Sequence, residues 1–202
     1  MTWRERIAYG VGGLTAAVGS MGIKNLAIPV YQMTLKVDPA LLGLMLAIPR
    51  FWDAFTDPFI GHASDHTRSR FGRRRPYIVA GAVLTGLSFA LVWMVPAHWP
   101  QSWLLGWLLV TSLIYYTCYS IWEVPYQSLG YELTPDYHER TTVMGMQTLF
   151  GRLAIVIEWI FPLAQLALFA AVLQGVRTLT VLLAAVVFIG IGLLPGLLVR
   201  ER

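Results

Sequence analysis

Six apolar stretches, each bounded by polar or charged residues, divide this chain. They fall at about 7–35, 39–64, 76–96, 103–130, 141–171 and 178–199. Each is long enough, as a helix, to cross a hydrocarbon layer that needs about 20 residues. The first holds Gly10, Gly12, Gly13, Gly19 and Gly22, a texture that lets neighbouring helix backbones approach closely. It opens with MTWRERIAYG, a positive start with no small-residue cleavage site after a short apolar core, so it reads as a span rather than a leader. LKVDPA, the basic run ending at Pro76, AHWPQS, YELTPDYHER and LQGVRT connect the stretches, with Trp99 and Trp103 as interface anchors. The fourth stretch carries YYTCYSIWEVPYQS, a polar and aromatic cluster too large for a lipid-facing surface. The pattern predicts an all-α membrane protein, one domain of six transmembrane helices over residues 1–202.

Composition agrees. Hydrophobic residues make up 56% of the chain and charged ones 13%, against about 25% charged in a soluble domain. The lone Cys118 excludes a disulfide framework and a cysteine-based zinc site, and the four scattered histidines form no ligand cluster. The net charge of +4 follows membrane topology, so no nucleic-acid partner is expected. Arg4, Arg6, Arg68, Arg70, Arg73, Arg74, Arg75, Arg140, Arg200 and Arg202 share one side; Lys36 and Arg177 take the other. Under the positive-inside rule this predicts a multi-pass protein of the plasma (inner) membrane with both termini cytoplasmic.

Charges inside the spans change the picture from membrane protein to transport. Arg50, Asp53 and Asp57 sit at i, i+3 and i+7, on one helix face. Lys24, Arg152, Glu123 and Glu158 also fall inside spans. Each costs about 2.5–3.5 kcal/mol at the bilayer centre, and such residues by default mark an ion or solute path. The bland readings are a structural Arg–Asp pair, a Lys24 that snorkels outward, and a Glu158 that pairs with Arg152. Asp53 and Asp57, one turn apart, suit a hard cation that wants oxygen ligands. Their mutual repulsion equally suits a proton, so Na⁺ and H⁺ both stay open. No nucleophile–base pair, HExxH motif or GxGD site is present, so no enzyme is expected, and neither a cofactor nor a metal beyond the coupling cation.

The series Asp57, Gly61, Asp65, Gly72, Arg73, Arg74, Arg75 and Pro76 resembles the signature of the glycoside-pentoside-hexuronide:cation symporter family. This is the melibiose permease-like group of the major facilitator superfamily. WDAFTDP resembles its cation-site segment, YSIWEVPYQSL its fourth-helix segment, and YGVGG its first-helix start. The resemblance implies one half of a twelve-span fold, the amino-terminal half, built as 3+3 inverted repeats. The implied partners are a small-molecule solute, the lipid bilayer and a second six-helix half, missing from this chain or supplied by a second copy. It implies that Ser120 and Glu123 complete a cation site with Asp53 and Asp57. Gly61, Asp65, Gly72, Arg73, Arg74 and Arg75 would support the cytoplasmic gate, where positive-inside topology alone would explain only the arginines.

The solute side departs from the family pattern. The first-helix Lys-Asp pair is replaced by Ala16 and Ala17, the fourth-helix Trp by Gln127, and the fifth-helix arginine position by Thr148, one turn from Arg152. Lys24, Tyr116, Glu123, Gln127 and Arg152 remain as a polar lining, with Tyr119 or Trp122 offering a ring face. The implied function is secondary active transport: cation-coupled symport of a sugar, glycoside or uronide. The alternatives are an amphipathic or lipid-like solute, or an inactive half-transporter that needs a second half.

Overall fold

Side-chain caps start three of the six predicted helices where the polar punctuation stands. In a computed structural model that describes residues 2–133, 136–166 and 171–199, α1 runs Trp3–Ala27 and continues as a π-helical segment, Ile28–Thr34. Thr2 and Glu5 close a capping box at its start. Helix α2 spans Pro39–His66 behind Asp38, whose carboxylate accepts from the Ala40 and Leu41 amides. Helix α3 is Arg75–Val92 and α4 is Gln101–Glu132. Helix α5 begins as Tyr137–Gly151 behind the Asp136 cap, tightens to a 3-10 segment at Arg152–Trp159, and ends with Ile160–Ala164. Helix α6 joins Val172–Leu183, a π-helical Ala184–Ile191 and Leu193–Leu198. The described residues contain no strand.

Five of the six are long and apolar enough to cross a membrane: Trp3–Thr34, Arg75–Val92, Gln101–Glu132, His138–Ala164 and Val172–Leu198. Helix α2 is long enough at 28 residues but is made less apolar by Arg50, Asp53, Asp57 and Asp65. LQGVRT is not a turn; it lies inside α6. Its polar character is satisfied by packing, because Gly175 is buried and Arg177 Nη2 donates to the Val95 carbonyl at 2.5 Å. Helix α3 ends early, at Val92, where the Trp93 amide already bonds back to the Ala90 carbonyl. Residues 167–170, at the end of the fifth expected span, lie outside the described residues. So do Arg200 and Arg202 of the topology count.

The helices pack as two related triplets. Helix α4 lies on α2 and α3, α1 lies on α5 and α6, and α3 meets α6. Exchanging α1–α3 for α4–α6 maps α2–α4 onto α5–α1 and α3–α4 onto α6–α1, the pairing expected of a 3+3 repeat. Glycines set the closest approaches: a Cβ at Gly13 would lie 2.1 Å from the Gln147 carbonyl of α5. At Gly81 it would lie 2.6 Å from the Trp122 amide.

The aromatic cluster of α4 turns inward. Tyr115, Tyr119, Trp122 and Tyr126 stack in sequence, and Tyr9 of α1 stacks on Tyr126 with ring centroids 4.6 Å apart. A polar tip inside a membrane must find a partner within the protein. Tyr115 donates to the Gly19 carbonyl (2.8 Å), Tyr126 to the Tyr9 carbonyl (2.8 Å) and Trp122 Nε1 to the Gly192 carbonyl (2.9 Å). Trp122 is fully buried, which removes it as a ring face for solute. The ladder fixes α4 against α1 and α6, and with it the register of every side chain that α4 presents.

Candidate functional site

That register opens a cavity of about 450 Å³ between α1, α4 and α5. Helical spacing places Tyr119, Glu123 and Gln127 on one stripe of α4. Gln147, Thr148, Gly151 and Arg152 of α5 face them, and Gly13, Ala16, Ala17, Ser20 and Met21 of α1 form a small, mostly apolar wall. Gln127 Nε2 donates to Glu123 Oε1 at 2.8 Å, and Gln147 Nε2 reaches Gln127 Oε1 at 3.4 Å. The Tyr119 hydroxyl lies 2.7 Å from the Ala16 carbonyl oxygen and 2.9 Å from Glu123 Oε2. Arg152, at the joint where α5 tightens, is exposed and forms no ion pair among the described residues. The Arg152–Glu158 pair does not form. Six residues of 3-10 helix make two turns and rise about 12 Å, too far for these side chains to pair closely.

Of the residues expected to line a solute site, Glu123, Gln127 and Arg152 share this cavity. Lys24 is exposed on the last turn of α1, a turn beyond Ser20. Tyr116 is buried beneath Arg50, whose guanidinium carbon stands 5.4 Å from its ring centroid. Arg50 also donates to the Ser20 carbonyl at 3.1 Å. It therefore bridges α2 to α1 and α4 and forms no ion pair with either aspartate.

The expected cation residues are placed as follows. Asp53 is half-buried, with one carboxylate oxygen sealed and lacking a hydrogen-bond partner. It lies within electrostatic reach of Asp57 and Arg50, and Glu123 within reach of Asp57. Ser120 is buried on α4. Asp53, Asp57 and Ser120 do not line the cavity. Among the described residues no three acidic, histidine or cysteine side chains converge to hold a metal ion. Gln147 and Ser20 are cavity residues that charge-based reading passes over; the spacing of Gln147 from Gly151, one turn on, is the signal for the first.

At the basic end of the bundle, every expected arginine of the 73–75 run has a partner. Asp65, at the end of α2, accepts from Arg74 Nε (3.1 Å) and Nη2 (2.6 Å). Arg74 Nη1 lies 2.6 Å from Glu132 Oε2 at the end of α4, and Arg73 Nη2 lies 3.2 Å from the same oxygen. Burial works against the Arg74 charge, yet its bonds to Asp65 and Glu132 hold its pKa above the usual guanidinium value. Gly72 makes the turn with φ 105°, a left-handed conformation that suits glycine. Gly61 packs towards Val124 of α4. Arg75 donates to the Gly196 (2.7 Å) and Leu197 (2.8 Å) carbonyls, closing the end of α6. Arg6 and Glu139 pair between α1 and α5. Three helix ends thus meet at one arginine, Arg74, and Glu132 is the partner the sequence did not reveal.

Residues 8–197 match the family described as MFS/sugar transport protein. An uncharacterized symporter of Synechocystis sp. is 30% identical over 72% of this chain and 28% of its own length. The isoprimeverose transporter of Lactiplantibacillus pentosus is 26% identical over 77% of this chain and 32% of its own length. Sodium-dependent lysophosphatidylcholine symporter 1 of Mus musculus is 27% identical over 76% of this chain and 29% of its own length. The match spans less than a third of each of these relatives.

Proposed function

Since the chain belongs to the MFS/sugar transport protein family, we propose that it forms one six-helix half of a cation-coupled symporter for a sugar, glycoside or uronide. The observation that carries this reading is the cavity between α1, α4 and α5. Glu123 and Gln127 on α4 and Gln147 facing them from α5 offer hydroxyl-binding groups, and the unpaired Arg152 offers a cation for a carboxylate. Charge-assisted bonds of that kind contribute about 1.5–3 kcal/mol each, which favours a uronide over a neutral sugar. Asp53 and Asp57 supply the ion-coupling carboxylates on α2, with Ser120 and Glu123 of α4 beside them. The coupling ion is Na⁺ or H⁺, and no other cofactor takes part.

A second half completes the path. Lys24, Arg50, Arg152 and Glu158 are exposed within membrane-spanning helices, at about 2.5–3.5 kcal/mol each if they face hydrocarbon. Phe51, Phe55 and Phe59 of α2 and Leu149 and Leu153 of α5 are exposed alongside them, a mixed surface that suits protein better than lipid. The arginine-rich end faces the cytoplasm of a plasma (inner) membrane, and the clamp around Arg74 supports the gate on that side.

A second reading, an amphipathic solute, is favoured by the apolar α1 wall of Gly13, Ala16, Ala17 and Met21. Thermal stabilisation of the purified chain by methyl glucuronide, methyl galactoside or lysophosphatidylcholine separates the two. Saturable stabilisation by the glucuronide, lost in Arg152→Ala, is the expected result. Stabilisation by the lysophospholipid alone replaces the first reading with the second, and none by any of the three overturns solute binding by this half.

A further inference from the structure

One proton is missing from the contacts around Tyr119. Its hydroxyl lies 2.7 Å from the Ala16 carbonyl oxygen and 2.9 Å from Glu123 Oε2, both within the span of full O–H···O bonds, about 2.5–3.0 Å. A phenol has one hydrogen to donate, and a carbonyl oxygen only accepts. If Tyr119 donates to Ala16, an ionised Glu123 would set a bare carboxylate oxygen against a phenolic lone pair. The contact becomes a hydrogen bond when Oε2 itself carries the proton and donates it to Tyr119. The other carboxyl oxygen then accepts from Gln127 Nε2 at 2.8 Å, as the carbonyl oxygen of a neutral acid does. All of these groups thereby find partners, as a membrane interior requires.

We propose that Glu123 stands in this conformation as a neutral carboxylic acid, the proton-holding group of the site, and that the ion exchanged here is H⁺. This rests on the symport reading and chooses between its two ions. A hard cation needs several oxygens converging at once; a proton needs one. The titratable and charged groups around Glu123 are Tyr115, Tyr119 and Tyr126 on its own helix, Tyr9 on α1, Asp57 on α2 and Arg152 on α5. Arg152 favours the anion by its charge, though it makes no ion pair with Glu123, and the Asp57 carboxylate favours the neutral form. Arrival of an anionic solute at Arg152 offsets that charge and strengthens retention of the proton, so solute and proton bind together.

Infrared spectroscopy of the purified chain in lipid bilayers at neutral pH tests this without solute or second half. The expected spectrum contains the carbonyl stretch of a protonated carboxyl, absent in Glu123→Gln and present in Asp57→Asn. Tyr119→Phe should shift that band to higher frequency, because the acid loses the oxygen it donates to. A wild-type spectrum without the band overturns the proposal, as does a band that survives Glu123→Gln. Should Glu123→Gln fail to fold, an unshifted band in Tyr119→Phe overturns it alone. A missing band leaves symport standing with another ion, whereas a failed solute assay leaves the band untouched.

Discussion

The charged residues of this chain meet two fates. At the arginine-rich end, Asp65, Arg73, Arg74, Arg75 and Glu132 bind one another or close helix ends, and Arg6 pairs with Glu139. In the middle of the bundle, Lys24, Asp53, Asp57, Arg152 and Glu158 make no ion pair among the described residues, though both basic and acidic groups are present there. The paired set ties helices together where water and lipid headgroups already lower the cost of charge. The unpaired set sits where charge costs most, and a fold has no use for it there. The difference separates charge that ties helices together from charge that no ion pair among the described residues uses.

Breaking the paired set should show first in stability. Arg74→Ala leaves Asp65 and Glu132 facing each other without their shared cation. With both acids about half exposed, the expected loss is about 1.5–3 kcal/mol rather than the larger cost of a fully buried pair. Thermal unfolding in detergent reads it, and an unchanged midpoint contradicts the clamp. Asp57→Asn acts on the unpaired set. It should leave basal stability near wild type and reduce ion-dependent stabilisation, whose full value at 100 times the dissociation constant is about 2.7 kcal/mol, without removing the part carried by the Glu123 proton. Titration with Na⁺ and with pH measures both. Arg73→Ala should matter least. Its partner bond is 3.2 Å long and both side chains are about half exposed, so a loss of about 0–1 kcal/mol is expected. A larger one would move the weight of the clamp from Arg74 to Arg73.

The six helices were legible because each apolar stretch is long and its ends carry capping residues or arginines, as at Thr2, Asp38 and Asp136. Where polar residues serve packing instead of loops, the pattern misleads. Arg177 reads as a turn residue but reaches across to the Val95 carbonyl from inside α6. The 3-10 tightening after Gly151 has no sequence mark, and Arg152 and Glu158, six positions apart, lie outside the i,i+3 and i,i+4 pairing of a helix surface. At the arginine-rich end, Asp65 was legible as an acceptor for an arginine, because the two lie close along the chain. Glu132 was not, since its link to Arg74 depends on how α4 packs. In the cavity, Glu123, Gln127 and Arg152 were readable as polar groups in apolar helices. Lys24 and Tyr116 share those stripes but stand a turn away, a distinction that rests on helix register fixed by the tyrosine ladder. The apolar α1 wall was visible as a departure from the family pattern at Ala16 and Ala17.

The separation itself is tested most directly by one measurement: the unfolding midpoint of the chain with and without saturating methyl glucuronide, in Arg74→Ala and Arg152→Ala. Arg74→Ala should lower the midpoint and keep the solute-induced increment. Arg152→Ala should keep the midpoint, within about 0.5 kcal/mol of wild type as for a surface change, and lose the increment. The account is contradicted if Arg152→Ala lowers the midpoint as Arg74→Ala does, or if the increment survives it.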